Sequence, residues 1–325
     1  MFIPSVEGLR PPFAFARLPM KKQPPKPLLL FTMLSLMVLI WTVNFIAGKI
    51  AFRHLPVMML VASRLELATL IMSVIFFFTP RRTKLDRRDI KTFVLLGFFG
   101  VLINQGGFSL GLKYTTVGHS AIIIAIAPVV VMLLAGLSGL ESISRGKIIG
   151  MALCFIGVLI LASENGFASF GSGTIKGDLI TGASVTGYSI YAVLAKKVVN
   201  RYDTVTMNFY NFLVAAVCLL PLAIYEWIHL DWSSVGWAGW AGLGYMAALS
   251  SVVGYLIYYW ALRHMDASRL AATTYIEPIL AMILGVIFLG EHFTGHLLTG
   301  GALVLTGVYI TERSMGDEAL PPEPA

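Results

Sequence analysis

The chain has 325 residues, 57% of them hydrophobic and only 13% charged, with a mean hydropathy of +0.80. A soluble core needs apolar stripes rather than end-to-end apolar runs, so a water-soluble globular protein is excluded. The formal charge of +7 is gathered in short loops and near the N-terminus, which argues against a nucleic-acid surface.

Residues 1–27 are basic, and Pro24, Pro25 and Pro27 stop any helix before the first apolar run. The only A-x-A string, Ala14 to Ala16, precedes that run, where no signal peptidase would use it. A disordered cytoplasmic leader is expected. Ten apolar runs follow, at about 28–49, 57–78, 92–112, 118–138, 147–163, 179–196, 205–226, 238–262, 268–290 and 295–312. Crossing a hydrocarbon core takes roughly 20 helical residues, and these runs lack the alternation of barrel strands. The expected fold class is an all-α membrane protein of ten transmembrane helices. Residues 313–325 are expected to form a disordered, acidic and Pro-rich cytoplasmic tail.

With the N-terminus in the cytoplasm, nineteen of the 24 Lys and Arg fall in cytoplasmic segments and four outside, while Arg64 lies within a span. This bias predicts an even number of spans with both ends inside. Shifted by 150 positions, residues 112–161 lie on 262–311 without a gap, and thirteen of the 50 are identical. The informative pairs are Pro128 with Pro278, Glu141 with Glu291, Gly150 with Gly300 and Gly157 with Gly307. A shift of 147 lays Trp41, Asn44, Lys49 and Arg64 on Tyr188, Tyr191, Lys196 and Asn211. Two repeats of five spans are therefore expected, over 28–165 and 176–312. Five is odd, so the halves would be inverted, an arrangement that lets a central site open to either side in turn.

Three fully charged side chains lie deep in the spans: Arg64, Glu66 and Glu277. A charge at the bilayer centre costs at least about 2.5–3.5 kcal/mol, so each needs a cavity or a partner. Arg64 and Glu66 point roughly 200° apart on a helix. Arg64 is assigned inward, where its fork can hold a carboxylate or phosphate; the alternative is structural pairing with carbonyls or with Glu277. Glu66 is either a clue to substrate or a locally paired charge. Pro278 frees the Thr274 carbonyl next to Glu277. Glu277 is then a proton or substrate site, or else a Glu satisfied by Arg64 or hydroxyls.

Asn44 and Gln105 are amides that serve a polar solute or a neighbouring helix. Trp41 lies one turn before Asn44, Tyr188 and Tyr191 repeat that pair, and Tyr255 stands with Tyr258 and Tyr259 in span 8. Glu141 and Glu291 are expected to be structural, each near the N-terminus of the helix that follows it. Gly107/Gly111, Gly150/Gly157 and Gly300/Gly307 are expected as close helix contacts, and Cys154 and Cys218 as small hydrophobes. No Walker lysine, HExxH or GxSxG occurs, which argues against an ATPase, zinc protease or hydrolase. No catalytic residue, metal or cofactor is expected.

Trp41-Thr-Val-Asn44-Phe, Arg64, Gly111-Leu-Lys113-Tyr-Thr, Ala127-Pro128 and Leu140-Glu141 resemble the EamA-type repeat of the drug/metabolite transporter superfamily. Ala261-Leu-Arg263-His-Met-Asp-Ala-Ser268, Ile276-Glu277-Pro278 and Gly290-Glu291 resemble it a second time, so the likeness covers roughly 28–312. Tyr188, where Trp is frequent, and Glu66, where the family is usually apolar, depart from it. The resemblance implies ten helices, a central cavity and export of amino acids, metabolites or drugs across a bacterial inner membrane. A secondary transporter working by alternating access is expected. Its substrate site would comprise Trp41, Asn44, Arg64, Gln105, Tyr188, Tyr191, Asn211, Tyr255 and Glu277. Its partners would be a small-molecule substrate and the lipid bilayer, with proton coupling through Glu277 left open. The alternatives are an importer or exchanger of small anionic or phosphorylated solutes held by Arg64 and Lys49, a membrane-embedded lipid-processing enzyme, and a non-transporting subunit.

Overall fold

The computed structural model describes residues 25–80, 82–114, 120, 123–163, 175–277, 279–280, 283–284 and 295–314. Among these residues the secondary structure is helical, with no strand. Helices α1 (Pro27–Ala51) and α2 (Val57–Phe78) come first. Next, α3 (Ile90–Leu96), a π-helical segment (Gly97–Gly106) and α4 (Gly107–Tyr114) run on as one rod. Then come α5 (Ala127–Leu137), α6 (Arg145–Ser163), α7 (Ile175–Val198) and α8 (Thr204–His229). A second rod joins α9 (Trp237–Gly244), another π-helical segment (Tyr245–Val253) and α10 (Gly254–Leu262). Finally, α11 (Ala267–Ala272) tightens into a 3-10 turn (Thr273–Tyr275), and α12 (Gly295–Arg313) is the last described helix. Among the described residues five stretches are long and apolar enough to cross a membrane: Pro27–Gly48, Val57–Phe78, Arg87–Gly111, Thr204–His229 and Trp237–Leu262. Pro278, Gly290, Glu291 and most of the expected leader and tail lie outside the described residues, as do parts of the fourth and ninth expected spans.

The surface is inverted relative to a water-soluble protein. Leu28, Phe78, Leu137 and Ile228 are 73–84% exposed, whereas Arg64, Gln105, Lys147, Asn208 and Asn211 are buried. Large exposed apolar side chains around a polar interior suit lipid outside and hydrogen-bonding partners inside. Local signals set the helix ends. Pro27 opens α1 in the first turn, where its missing N–H costs nothing. The Asp203 carboxylate caps α8 by accepting from Thr206 N at 2.9 Å.

Glycine sets the closest helix pair. A methyl group on Gly307 would lie 2.6 Å from Cys154 Sγ and also collide with the Gly150 carbonyl. One on Gly157 would lie 2.7 Å from the Gly300 carbonyl. Gly150 therefore meets Gly307, and Gly157 meets Gly300, across antiparallel α6 and α12. Between them Cys154 Sγ donates to the Val304 carbonyl at 3.4 Å. Overpacking such a contact costs about 1–3 kcal/mol. Gly307→Ala should accordingly lower the unfolding temperature of the purified protein in detergent.

Polar ties gather at the end that carries the loops around residues 82–91, 139–145, 199–203 and 263–266. Asp203 Oδ2 accepts from Thr83 N at 2.7 Å, Tyr202 Oη donates to Asp89 Oδ2 at 2.5 Å, and Arg201 pairs with Asp89 at 2.9 Å. Lys196 Nζ donates to the Leu262 and Met265 carbonyls at 2.8 and 2.6 Å, a cation on a helix C-terminus. Glu141 is structural, but it does not cap the helix that follows it. Its Oε1 accepts from Ala267 N at 2.7 Å and Ser268 N at 3.2 Å, at the start of α11.

Candidate functional site

A cavity of about 150 Å³ opens inside the bundle. Several helices build its wall. Trp41 and Asn44 come from α1 and Arg64 from α2; Asn104 and Gln105 come from the first π segment and Ser250 from the second. Ser184, Val185 and Tyr188 of α7, Phe108 of α4 and Tyr255 of α10 continue it. Thr274 and Glu277, beyond the short α11, complete it together with Ile124 and Ala127. The π segments matter here. A widened helical turn redirects side chains and loosens the backbone ladder, and it is found disproportionately at functional sites.

Arg64 is 8% exposed. Its Nε donates to Ser251 Oγ at 2.8 Å and its Nη2 to Ser250 Oγ at 3.3 Å. Among the described residues no carboxylate lies within ion-pair distance of it, so the alternative pairing with Glu277 is not formed. Glu277 likewise has no described cation at that distance. The cavity thus holds one guanidinium and one carboxylate that do not neutralise each other. Trp41 Nε1 donates to the Ser250 carbonyl at 3.3 Å, and its ring lies 5.6 Å from that of Tyr255. Asn44 Oδ1 is buried without a partner of hydrogen-bond geometry among the described residues, and the Gln105 amide, beside the Tyr255 hydroxyl, makes no hydrogen bond of full geometry. Buried polar atoms are rarely left unpaired, because each costs free energy comparable to a lost hydrogen bond. Orphans lining a cavity are therefore natural contacts for a polar solute.

Of the nine residues expected at the site, seven line this cavity: Trp41, Asn44, Arg64, Gln105, Tyr188, Tyr255 and Glu277. Tyr191 and Asn211 do not. Tyr191 is fully buried behind the wall, stacked 5.9 Å from Tyr258, and its hydroxyl donates to Tyr259 Oη at 2.5 Å. Its ring fills the space left by Gly100, where a methyl group would collide with it. Asn211 donates to the same Tyr259 hydroxyl. Glu66 is not among the lining residues either. Sequence reasoning missed Asn104, Ser184 and Ser250. Asn104-Gln105 and Ser250-Ser251 are adjacent polar pairs inside apolar runs, and that was the available signal.

These features define a multi-pass, all-helical membrane protein with a polar cavity held between its helices. The chain belongs to the EamA-like transporter family, which matches residues 28–163 and 175–313. It is a membrane transporter. An uncharacterized transporter of Archaeoglobus fulgidus is 27% identical over 86% of this chain and 97% of its own length. A probable terminal-alkyne amino-acid exporter of Streptantibioticus cattleyicolor is also 27% identical, over 86% and 92%. A probable amino-acid metabolite efflux pump of Salmonella typhimurium is 25% identical over 85% and 92%. One solved crystal structure shares the fold with a TM-score of 0.73 at 17% identity, covering 90% of this chain and 100% of that one.

Proposed function

We propose that the protein is a secondary transporter that exports small zwitterionic metabolites, amino acids or related amphiphiles, across the cytoplasmic membrane by alternating access. The observation that carries this reading is a cavity that holds a guanidinium and a carboxyl group without pairing them. Arg64 offers a cation and Glu277 a carboxyl group, and amides and aromatic rings share the same wall. A zwitterion with an apolar side chain satisfies all three kinds of wall. The names of the exporter and efflux-pump relatives agree with it. Arg64 is the one Lys or Arg among the described lining residues, which disfavours a phosphate dianion.

The architecture of the reading is ten helices in two inverted repeats, 28–165 and 176–312, with both termini in the cytoplasm. Reciprocal packing supports it. Gly150 meets Gly307 and Gly157 meets Gly300, and each of these pairs becomes the other when the halves are exchanged with the offset of 150. Cys154 meets Val304, its own counterpart. The two π segments begin 148 residues apart, at Gly97 and Tyr245. The basic loops sharing one end fit a cytoplasmic face.

Flux into proteoliposomes tests the reading. Unlabelled amino acid inside should drive uptake of labelled amino acid. No flux of any amino acid by folded protein would overturn it. Glu277→Gln across a pH series decides the driving force. A proton-coupled cycle loses its pH dependence, whereas a cycle driven by the substrate's own gradient keeps the profile it had.

A further inference from the structure

We propose that Ser250 and Ser251 are positioning residues that aim Arg64 at a carboxylate of the solute. The inference rests on reading the cavity as the substrate site. In a guanidinium, Nε–H and the nearer N–H of Nη2 form one fork, and Nη1 with the other N–H of Nη2 forms a second. Ser251 Oγ takes Nε at 2.8 Å and Ser250 Oγ takes Nη2 at 3.3 Å, so the two hydroxyls occupy the first fork. The second fork has no described acceptor and belongs to a residue that lines the cavity. A planar carboxylate fits such a fork bidentately.

The chemistry of the holders matters as much as their place. Both are neutral hydroxyls, at most 1% exposed. They fix the plane of the guanidinium without cancelling its charge, and no described carboxylate does so instead. An Asp at either position would turn Arg64 into a closed ion pair. Ser250 is itself anchored, because Trp41 Nε1 donates to its carbonyl at 3.3 Å. Both serines lie in the second π segment, where the widened turn lets neighbouring residues reach one guanidinium. A lysine at position 64 would be a point charge without the second fork.

The test compares a solute with and without the carboxylate: leucine and its decarboxylated amine, 3-methylbutylamine, with full-length protein in proteoliposomes. Ser250→Ala/Ser251→Ala should raise KM for leucine about tenfold, the scale of losing hydrogen bonds to a charged group. Its kcat should change little, and KM for the amine should rise much less than KM for leucine. Ser250→Thr/Ser251→Thr keeps both hydroxyls and should restore the leucine KM. Equal losses for leucine and the amine, or no loss for either, would overturn the positioning role. If the wild type moves neither solute, the function proposed above fails separately. Thermal stabilisation by benzoate then decides the positioning role: it should be present in the wild type and the Thr pair and weak in the Ala pair. Equal stabilisation of all three would refute it.

Discussion

Arg64→Ala should abolish amino-acid transport while leaving the protein folded. The side chain is 8% exposed and donates only to two serine hydroxyls among the described residues. Its removal forfeits two hydrogen bonds to neutral partners but also relieves a charge whose burial costs at least about 2.5–3.5 kcal/mol. These contributions oppose each other, so the unfolding temperature in detergent should shift by only a few degrees. Transport has no such compensation. Truncating one partner of a buried, hydrogen-bonded charge pair costs about 2–5 kcal/mol, upwards of thirtyfold. Arg64→Lys should recover part of the charge but not the fork, leaving leucine transport well below the wild type. If Arg64 were only a packing residue, the order would reverse, with a large fall in unfolding temperature and normal flux in whatever remains folded. Flux and thermal unfolding measured on one preparation separate the two outcomes.

The polar residues inside apolar runs carried most of what the sequence could reveal of the cavity. Trp41, Asn44, Arg64, Gln105 and Glu277 stand out because a bilayer-spanning helix does not retain such groups without a cavity or a partner. Equal place in the repeat does not mean equal surroundings. Tyr191 corresponds to Asn44 and Asn211 to Arg64, yet Tyr191 and Asn211 share a hydrogen-bonded cluster at Tyr259, behind the wall. Gly100 decides this by giving up its side-chain space to the Tyr191 ring. Nothing in a hydropathy profile announces that exchange. The π segments were equally silent, because a helical period read over apolar residues does not register one widened turn. Ser184 and Ser250 were passed over for a related reason: serine is an ordinary packing residue between membrane helices, and only the position of its hydroxyl shows that it faces a cavity.

Glu141 shows how a correct principle can pick the wrong partner, and it carries the second large effect. A carboxylate belongs near a helix N-terminus, but the helix it serves is α11, 126 residues further along the chain. Its Oε1 accepts from Ala267 N and Ser268 N, and its Oε2 accepts from the Ser268 hydroxyl. Lys147, 1% exposed, lies 3.8 Å from Oε2 and 3.3 Å from Asp266 Oδ2. Glu141→Ala removes the cap and one of the two carboxyl groups around a buried ammonium that keeps Asp266 and the Ser142 carbonyl. A loss of about 1–3 kcal/mol is expected, the scale of leaving buried donors without their acceptor. The α11 start leads on to Thr274 and Glu277 in the cavity wall, so transport should fall along with stability.

Burial, the leading cause, raises the Glu141 carboxyl above the usual carboxylate range, and Asp266 adds to the rise; hydrogen bonds from Ser268 and the charge of Lys147 pull the other way. A raised value means that the folded protein holds this proton more tightly than the unfolded chain does. The contribution to stability is therefore full below the ordinary carboxylate pKa and is lost as pH rises through the raised one. Glu141→Gln keeps an acceptor for the α11 N–H groups and cannot ionise. Unfolding temperatures recorded from acid to neutral pH should therefore fall more steeply in the wild type than in Glu141→Gln. Parallel curves would mean that Glu141 keeps one protonation state throughout.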